Sequence, residues 1–164
     1  MKTLLLLRHA KSSWNNPALR DFDRPLNERG LQAAPLMGRF MRKRQLQPGL
    51  VLSSPAERAK QTAALVSEAA RLTTEPRFDE GIYEASALAL LEIISQIENG
   101  VDQALLVGHN PGMEELLMIL TGETRRMPTA ALACINLDVG KWSEVREATG
   151  RLEWLVKPKE LPKD

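Results

Sequence analysis

Residues 3–11 of the chain read TLLLLRHAK, four consecutive leucines followed at once by an arginine and a histidine. A short, continuously apolar run is typical of a strand buried on both faces, as in a parallel sheet that lies between helices. Arg8 and His9 follow where this strand leaves the core. In open α/β sheets, ligands bind at the carboxyl ends of the strands. The stretch therefore predicts a parallel strand that carries a cation and a titratable imidazole to a binding edge.

The length and composition indicate an ordinary globular protein. The 164 residues favour a single domain, which we expect over residues 1–157, with a short C-terminal tail over residues 158–164. The hydrophobic share of 43% is enough for a substantial core. The chain has 22 Lys and Arg residues against 21 Asp and Glu, a formal net charge of +1. This balance argues against nucleic acid as the main partner but leaves room for a local positive pocket.

The sequence also bears on the compartment. No run approaches the roughly 20 apolar residues that a membrane-spanning helix needs, so we expect no membrane partner. The first residues do not resemble a secretory signal. The single cysteine, Cys134, excludes an internal disulfide and fits a reducing environment. We therefore expect a cytoplasmic protein.

Apolar runs alternate with segments of helical periodicity along the rest of the chain. We expect helices over residues 28–44, 55–70, 86–97 and 111–120. We expect strands over residues 50–53, 73–78, 103–108, 130–137 and 151–156, the last two as antiparallel neighbours. Asn27, Ser54 and Asn110 are expected helix caps, and Glu57 would complete a capping box with Ser54. The alternation predicts an α/β fold, a three-layer α/β/α sandwich with a mostly parallel central sheet.

Charged and titratable residues converge on one edge of this predicted sheet. The chain has two histidines, His9 and His109, and each follows an apolar strand. Arg8 and Arg58 belong to the same edge, as do the beginnings of two helices, whose free N–H groups attract anions. Two guanidinium groups, two imidazoles and two helix N-termini predict an anion site of about the size of phosphate.

Histidine at an anion site indicates chemistry as well as binding. Arginines and backbone N–H groups would suffice to hold an anion, whereas an imidazole adds a nucleophile and a proton carrier near neutral pH. A metal site is the alternative for a histidine pair. Two cations beside it would repel a divalent metal, and no carboxylates cluster with either histidine. We therefore expect no metal and no other cofactor.

Four motifs follow one another along the chain: RHAKSSW at residues 8–14, DRPLNERG at 23–30, SPAERAKQTA at 54–63 and VGHN at 107–110. In this order they resemble the motifs of the histidine phosphatase superfamily, which has the phosphoglycerate-mutase-like fold. The resemblance covers nearly the whole chain. The short length, the absence of a large insertion and the RHAKSSW motif are most similar to the bacterial phosphohistidine phosphatase SixA group. Ala10 departs from the glycine that usually follows the histidine.

The resemblance implies specific roles for these residues. His9 would be the nucleophile that takes the phosphoryl group as a phosphohistidine. Arg8 and Arg58 would clamp the phosphoryl oxygens, and His109 would stabilise the equatorial oxygens. Arg24 would be a further positive contact to the substrate. Phosphoryl transfer depends largely on positioning and charge stabilisation, so arginines can serve in place of a metal.

Two further residues, Asn15 and Glu84, each allow a functional interpretation and a purely structural one. Asn15 matches a phosphate-contacting position of mutase-like relatives, or it is a turn residue before Asn16 and Pro17. Glu84 matches the glutamate that acts as general acid in larger relatives, or it is an exposed loop carboxylate.

The resemblance leaves three functions open. The first is a phosphatase that acts on the phosphohistidine of a signalling protein, a histidine-containing phosphotransfer domain. The second is a metal-independent phosphatase of a small phosphorylated metabolite. The third is an inert phosphate-binding module, against which the four intact residues Arg8, His9, Arg58 and His109 argue. An alkyl phosphate leaves as a basic alkoxide, whereas imidazole has a pKa near ~6.5, so phosphohistidine needs only a weak acid or none.

Overall fold

The computed structural model describes residues 1–163, which form a six-stranded sheet with helices on both faces. The strands are β1 (Lys2–Arg8), β2 (Leu50–Ser53), β3 (Arg77–Phe78), β4 (Gln103–Gly108), β5 (Leu132–Leu137) and β6 (Gly150–Val156). The helices are α1 (Glu28–Lys43), α2 (Glu57–Ala70), α3 (Ala87–Ser95) and α4 (Gly112–Thr121). Short 3-10 turns cover Asp21–Asp23, Glu80–Ile82, Trp142–Glu144 and Pro158–Glu160.

The sheet has the strand order β3-β2-β4-β1-β5-β6. The first four strands in this order are parallel, and β5 and β6 continue the sheet in antiparallel fashion. The predicted α/β fold with a mostly parallel sheet is therefore confirmed, as is the antiparallel pair at its end. The parallel strands end together, so their last residues form one edge of the sheet.

The four leucines of β1 alternate between two hydrophobic cores. Leu4 and Leu6 belong to the cluster that includes α3 and α4, whereas Leu5 and Leu7 belong to the cluster that includes α1 and α2. All four are completely buried. The unbroken apolar run thus follows from burial on both faces, and the helix pairs complete the three predicted layers.

Two helix starts differ from the prediction. Helix α2 begins at Glu57 with Ala56 in the cap position and no side-chain cap, and α4 begins at Gly112 after Pro111. The Ser54 hydroxyl is bonded to His109, and the Asn110 amide donates to Glu114 and to the Met127 carbonyl. Neither residue therefore occupies the cap position of its helix. The Asn110 amide is taken by tertiary partners, whereas Oγ of Ser54 binds His109 and also accepts the N–H of Ala56 at 3.2 Å, in the turn that precedes α2.

The other differences are small. The strand predicted over residues 73–78 is reduced to two residues, and β5 begins two residues later than predicted. The cap at Asn27 is confirmed, because its side chain accepts the N–H of Gly30. Gly30 is needed there, since a Cβ would collide with the carbonyl oxygen of Lys11.

The long loop between β1 and α1 folds back on itself beside the sheet edge. Ser12 and Leu26 form an isolated antiparallel bridge, and the N–H of Ser13 donates to the carbonyl of Pro25. These bonds bring the 3-10 turn Asp21–Asp23 against α2. The loop therefore covers the edge at which the parallel strands end.

The C-terminal segment is held against the domain over its described part. Pro158–Glu160 forms a 3-10 turn that contacts α1, and Leu161 packs on the core cluster of α1 and α2. In residues 1–163, no helix combines the length and apolar character that a membrane crossing requires.

Candidate active site

The pairing of β1 with β4 brings the two histidines together. Arg8 pairs with Gly108 in the parallel register, and the backbone N–H of His9 donates to the carbonyl of Gly108 at 3.0 Å. The imidazole centroids of His9 and His109 are 5.1 Å apart. Both side chains are buried, with 7% and 9% of the residue surface exposed. The predicted convergence of two strand-end histidines is thus what the fold produces.

One ring nitrogen of His9 is committed to a hydrogen bond. Nδ1 lies 2.7 Å from the carbonyl oxygen of Ala10, which can only accept, so Nδ1 carries the hydrogen. Burial lowers the pKa of His9 to about 3, against the opposing effect of the Ala10 bond. His109, Arg58 and Arg8 lower it further by their charges. At neutral pH the ring is uncharged and its Nε2 keeps a lone pair, which is the form that a nucleophile requires.

His109 is oriented by a residue that the sequence pattern assigned to a helix cap. Its Nε2 lies 2.7 Å from Oγ of Ser54, a completely buried residue at the carboxyl end of β2. Burial lowers the pKa of His109 to about 4, as does the positive charge of Arg58. Within residues 1–163, the buried Nδ1 has no hydrogen-bond partner. This ring therefore has one fixed nitrogen and one available nitrogen.

Arg8 and Arg58 each keep a buried guanidinium nitrogen unpaired. Nη1 of Arg8 donates to the carbonyl of Met127, and Nη1 of Arg58 donates to the carbonyl of Asp21. In the described part of the chain, Nε of both arginines is buried without a partner. An unpaired buried donor is unfavourable unless a ligand supplies an acceptor. Two such donors, both close enough to lower the pKa of His9, are the geometry that an anion site requires.

Asp21 is the site residue that sequence reasoning missed. Its Oδ1 accepts from Nε and Nη2 of Arg24, and its Oδ2 accepts from Nη2 of Arg58 and from the hydroxyl of Tyr83. The partial burial of the carboxyl acts to raise its pKa, but these hydrogen bonds, led by that of Tyr83, lower the pKa to about 2. Asp21 is therefore an ionised carboxylate that joins two arginines and a tyrosine at the mouth of the site.

Arg24 lies near the site with its donors engaged. Besides the Asp21 carboxylate, it binds Oγ of Ser12 at 2.7 Å and the carbonyl of Ser13. Its guanidinium lies 3.5 Å from the ring centroid of Trp14. Its charge contributes to the low pKa of His109. In this structure Arg24 organises the loop and adds positive potential to the site.

The structure does not bring Asn15 and Glu84 into this cluster. Both residues are exposed. Among the described residues, the side chain of Asn15 makes no hydrogen bond, and Glu84 makes neither a hydrogen bond nor an ion pair. Glu84 has a positive φ of 57° and immediately follows Tyr83, which binds Asp21. The carboxylate that touches the site is thus Asp21 rather than Glu84.

Comparison with known proteins agrees with this geometry. A profile of the histidine phosphatase superfamily (branch 1) matches residues 4–91. A crystal structure from Agrobacterium tumefaciens, described as a candidate phosphohistidine phosphatase SixA, is 32% identical, with a TM-score of 0.81 over 96% of this chain and 99% of that chain. The structure of the protein histidine phosphatase SixA complexed with tungstate is 25% identical, with a TM-score of 0.84 over 96% and 98%. An uncharacterized chloroplastic protein of Arabidopsis thaliana is 30% identical over 96% of this chain and 78% of its own length.

The low pKa values of the two histidines give a direct prediction. A ring is neutral above its pKa, so with pKa values of about 3 and 4 both histidines should stay neutral in the ligand-free protein from pH 7 down to pH 5. An imidazole of ordinary pKa, about 6.5, would be mostly protonated at pH 5. Nitrogen-15 NMR of the two rings measures this, with the urea-unfolded chain as the control. A titration midpoint between pH 6 and 7 for either folded ring would contradict the burial argument.

The position of Asp21 predicts the behaviour of a charge-removing variant. Asp21→Asn removes a negative charge in direct contact with Arg58, so inorganic phosphate should inhibit the variant at a concentration roughly three- to tenfold lower than for the native protein. Asp23→Asn is the matched control, because Asp23 pairs with the exposed Arg20 instead. The measurement is the inhibition constant of phosphate for the native protein and for each variant, at constant ionic strength. Equal inhibition of both variants would show that Asp21 does not oppose anion binding.

Proposed function

Because the chain belongs to the histidine phosphatase superfamily, we propose that it removes the phosphoryl group from a phosphorylated histidine of a signalling protein of the phosphotransfer type. The reaction passes through a covalent phosphohistidine on His9. The observation that carries this proposal is the hydrogen bond from Nδ1 of His9 to Ala10, which leaves Nε2 unprotonated beside Arg8 and Arg58. The similarity to solved structures described as SixA phosphohistidine phosphatases supports the choice of substrate.

In the first step Nε2 of His9 attacks the phosphorus atom. The substrate ring carries a proton on its other nitrogen, so when its bond to phosphorus breaks, the electron pair stays on the leaving nitrogen and the ring departs as neutral imidazole. Arg8 and Arg58 direct guanidinium groups at the phosphoryl oxygens, where negative charge is concentrated during transfer. His109 lies beside His9 with an available Nδ1, and we assign it the stabilisation of the equatorial oxygens.

In the second step water attacks the phosphohistidine on the enzyme. The bond between phosphorus and Nε2 breaks, inorganic phosphate forms, and His9 regains its lone pair. The Ala10 carbonyl keeps the hydrogen on Nδ1 throughout, so the same nitrogen serves as nucleophile and as leaving atom. The pocket therefore returns to its starting state without a change of tautomer.

The leaving group supports phosphohistidine over an alkyl phosphate. The conjugate acid of imidazole has a pKa of ~6.5, so neutral imidazole leaves without the help of a strong acid. An alkoxide is far more basic and requires a proton donor. The candidate donor Glu84 is exposed, with no hydrogen bond among the described residues. Asp21 is held ionised by its arginines and by Tyr83, so it carries no proton to donate at neutral pH. A site of this kind suits a substrate that needs no strong acid.

We further propose that the reaction uses no metal and that the protein works in the cytoplasm. The charge of the phosphoryl group is met by guanidinium groups, which serve as the electrostatic clamp. Within residues 1–163, no group of three or more His, Cys, Asp or Glu side chains has the arrangement of a metal site. Activity should therefore survive dialysis against a chelator.

The decisive experiment is a comparison of substrates. We expect faster turnover of a phosphorylated histidine-containing phosphotransfer domain than of a panel of sugar and nucleotide phosphates, because the site lacks a placed acid. Phosphate release under matched conditions measures this. Faster release from the metabolites would instead identify a phosphatase of small phosphorylated metabolites.

The same assay tests the nucleophile. His9→Ala should lower turnover by at least about 10³-fold and should abolish the phosphoenzyme trapped from radiolabelled substrate. Arg77→Ala is the control, because Arg77 forms an exposed ion pair with Glu98. Native turnover in His9→Ala would refute the covalent route.

A last variant tests whether the site has a placed acid. Because Glu84 is exposed and makes no hydrogen bond among the described residues, Glu84→Gln should leave turnover of the phosphorylated domain, and any turnover of an alkyl phosphate, within about twofold of native. Steady-state rates on both substrates measure this. A selective loss on the alkyl phosphate would instead identify Glu84 as the general acid.

A further inference from the structure

Two adjoining cavities form a groove beside the candidate active site. The first has a volume of about 450 Å³ and is lined by Arg8. The second has a volume of about 790 Å³ and extends along α1 from Arg29 to Arg39. Pro128, Lys157 and Lys159 line both cavities, so the two adjoin each other. We call the two adjoining cavities together the basic groove.

The basic groove concentrates positive charge. Beyond Arg8, its basic lining residues are Lys11, Arg29, Arg39, Arg126, Lys157, Lys159 and Lys163. Among residues 1–163, its single acidic lining residue is Glu114, whose carboxylate already accepts from the Asn110 amide and the Met127 N–H. Apart from Arg39, these lysines and arginines form no ion pair with any other described residue.

This concentration contrasts with the charge of the whole chain. The net charge is only +1, so acidic residues balance the basic ones elsewhere on the surface. Like charges that gather without counter-charges repel one another, and an anionic partner relieves that repulsion. A single phosphoryl group at Arg8 and Arg58 carries at most about two negative charges. The remaining cations of the groove therefore fit negative charges that lie beyond the phosphoryl group.

We propose that the basic groove binds an acidic surface of the phosphorylated protein substrate, next to its phosphohistidine. This inference rests on the proposed function, since the phosphoryl group must enter beside Arg8. Apolar side chains, among them Ala33, Leu36 and Pro128, lie between the cations of the lining. Apolar contacts bordered by charge complementarity are the usual composition of a protein interface.

The lining favours a protein over a nucleic acid. In the described part of the chain, no aromatic side chain lines either cavity, so bases would find no stacking surface. The sequence pI of about 7.9 is also lower than that of a typical nucleic-acid-binding domain. Complementary charge mainly accelerates encounter, so the groove should act on KM and on the salt dependence of the rate rather than on kcat.

Two synthetic phosphohistidine peptides of equal length test the proposal, one with six Asp and Glu residues around the phosphohistidine and one with Asn and Gln in their place. At low salt, KM for the acidic peptide should be at least about tenfold lower than for the neutral one. R29E/K163E reverses two charges that line only the second cavity, and it should abolish this difference while kcat for the neutral peptide stays unchanged. K141E/R146E reverses two exposed charges outside both cavities and should behave as native.

A direct binding measurement keeps the inference independent of the reaction. The unphosphorylated acidic peptide, labelled for fluorescence anisotropy, should bind the native protein and lose about tenfold in affinity with R29E/K163E. If neither phosphohistidine peptide is hydrolysed, the proposed phosphatase function is refuted. The anisotropy measurement still tests separately whether the basic groove binds an acidic peptide. Equal KM values together with equal binding of the acidic and neutral peptides would overturn the groove proposal. Tighter groove-dependent binding of a single-stranded oligonucleotide than of the acidic peptide would overturn the choice of partner.

Discussion

The parallel pairing of β1 with β4 is the constraint on which the site depends. The two strands lie at the centre of the sheet, and their register pairs Arg8 with Gly108. The histidine that follows each strand is therefore at the same position along the sheet edge. The bond from the His9 N–H to the Gly108 carbonyl extends this pairing by one more residue. A slip of one position would turn the leucines of β1 from one core to the other, and the two separate cores therefore hold the register.

Burial then determines the chemistry of the paired rings. Removing water from His9 and His109 favours their neutral forms, and the neighbouring arginines favour them further. The same arginines need negative charge to be stable at a partly buried position. Asp21 supplies part of that charge, because it binds both Arg24 and Arg58, and yet it leaves Nε of Arg58 unpaired. The site thus keeps a net positive potential toward phosphate while its arginines stay fixed.

The strands, the helices and four of the catalytic candidates could be predicted from local pattern. The apolar runs of β1 and β4 identify buried strands whatever surrounds them, and the residues that follow such strands must share an edge. Asp21 could not be found in this way, since its partners Arg58 and Tyr83 lie 37 and 62 positions away in sequence. The cap position assigned to Ser54 was wrong, because α2 begins at Glu57. The bond of its hydroxyl to His109 could not be predicted either, since His109 lies 55 positions away in sequence.

The charge of the basic groove could not be predicted from local sequence pattern either. The basic residues of the groove come from the end of β1, the β1–α1 loop, helix α1, the segment before β5 and the C-terminal segment. No window of the sequence contains more than a few of them, and the near-neutral total conceals their convergence. Net charge governs the long-range field, whereas recognition at contact distance depends on which charges the fold places side by side. A chain of balanced composition can therefore present a strongly basic face to a partner, provided that its topology gathers cations from separate segments beside the residue that performs the chemistry.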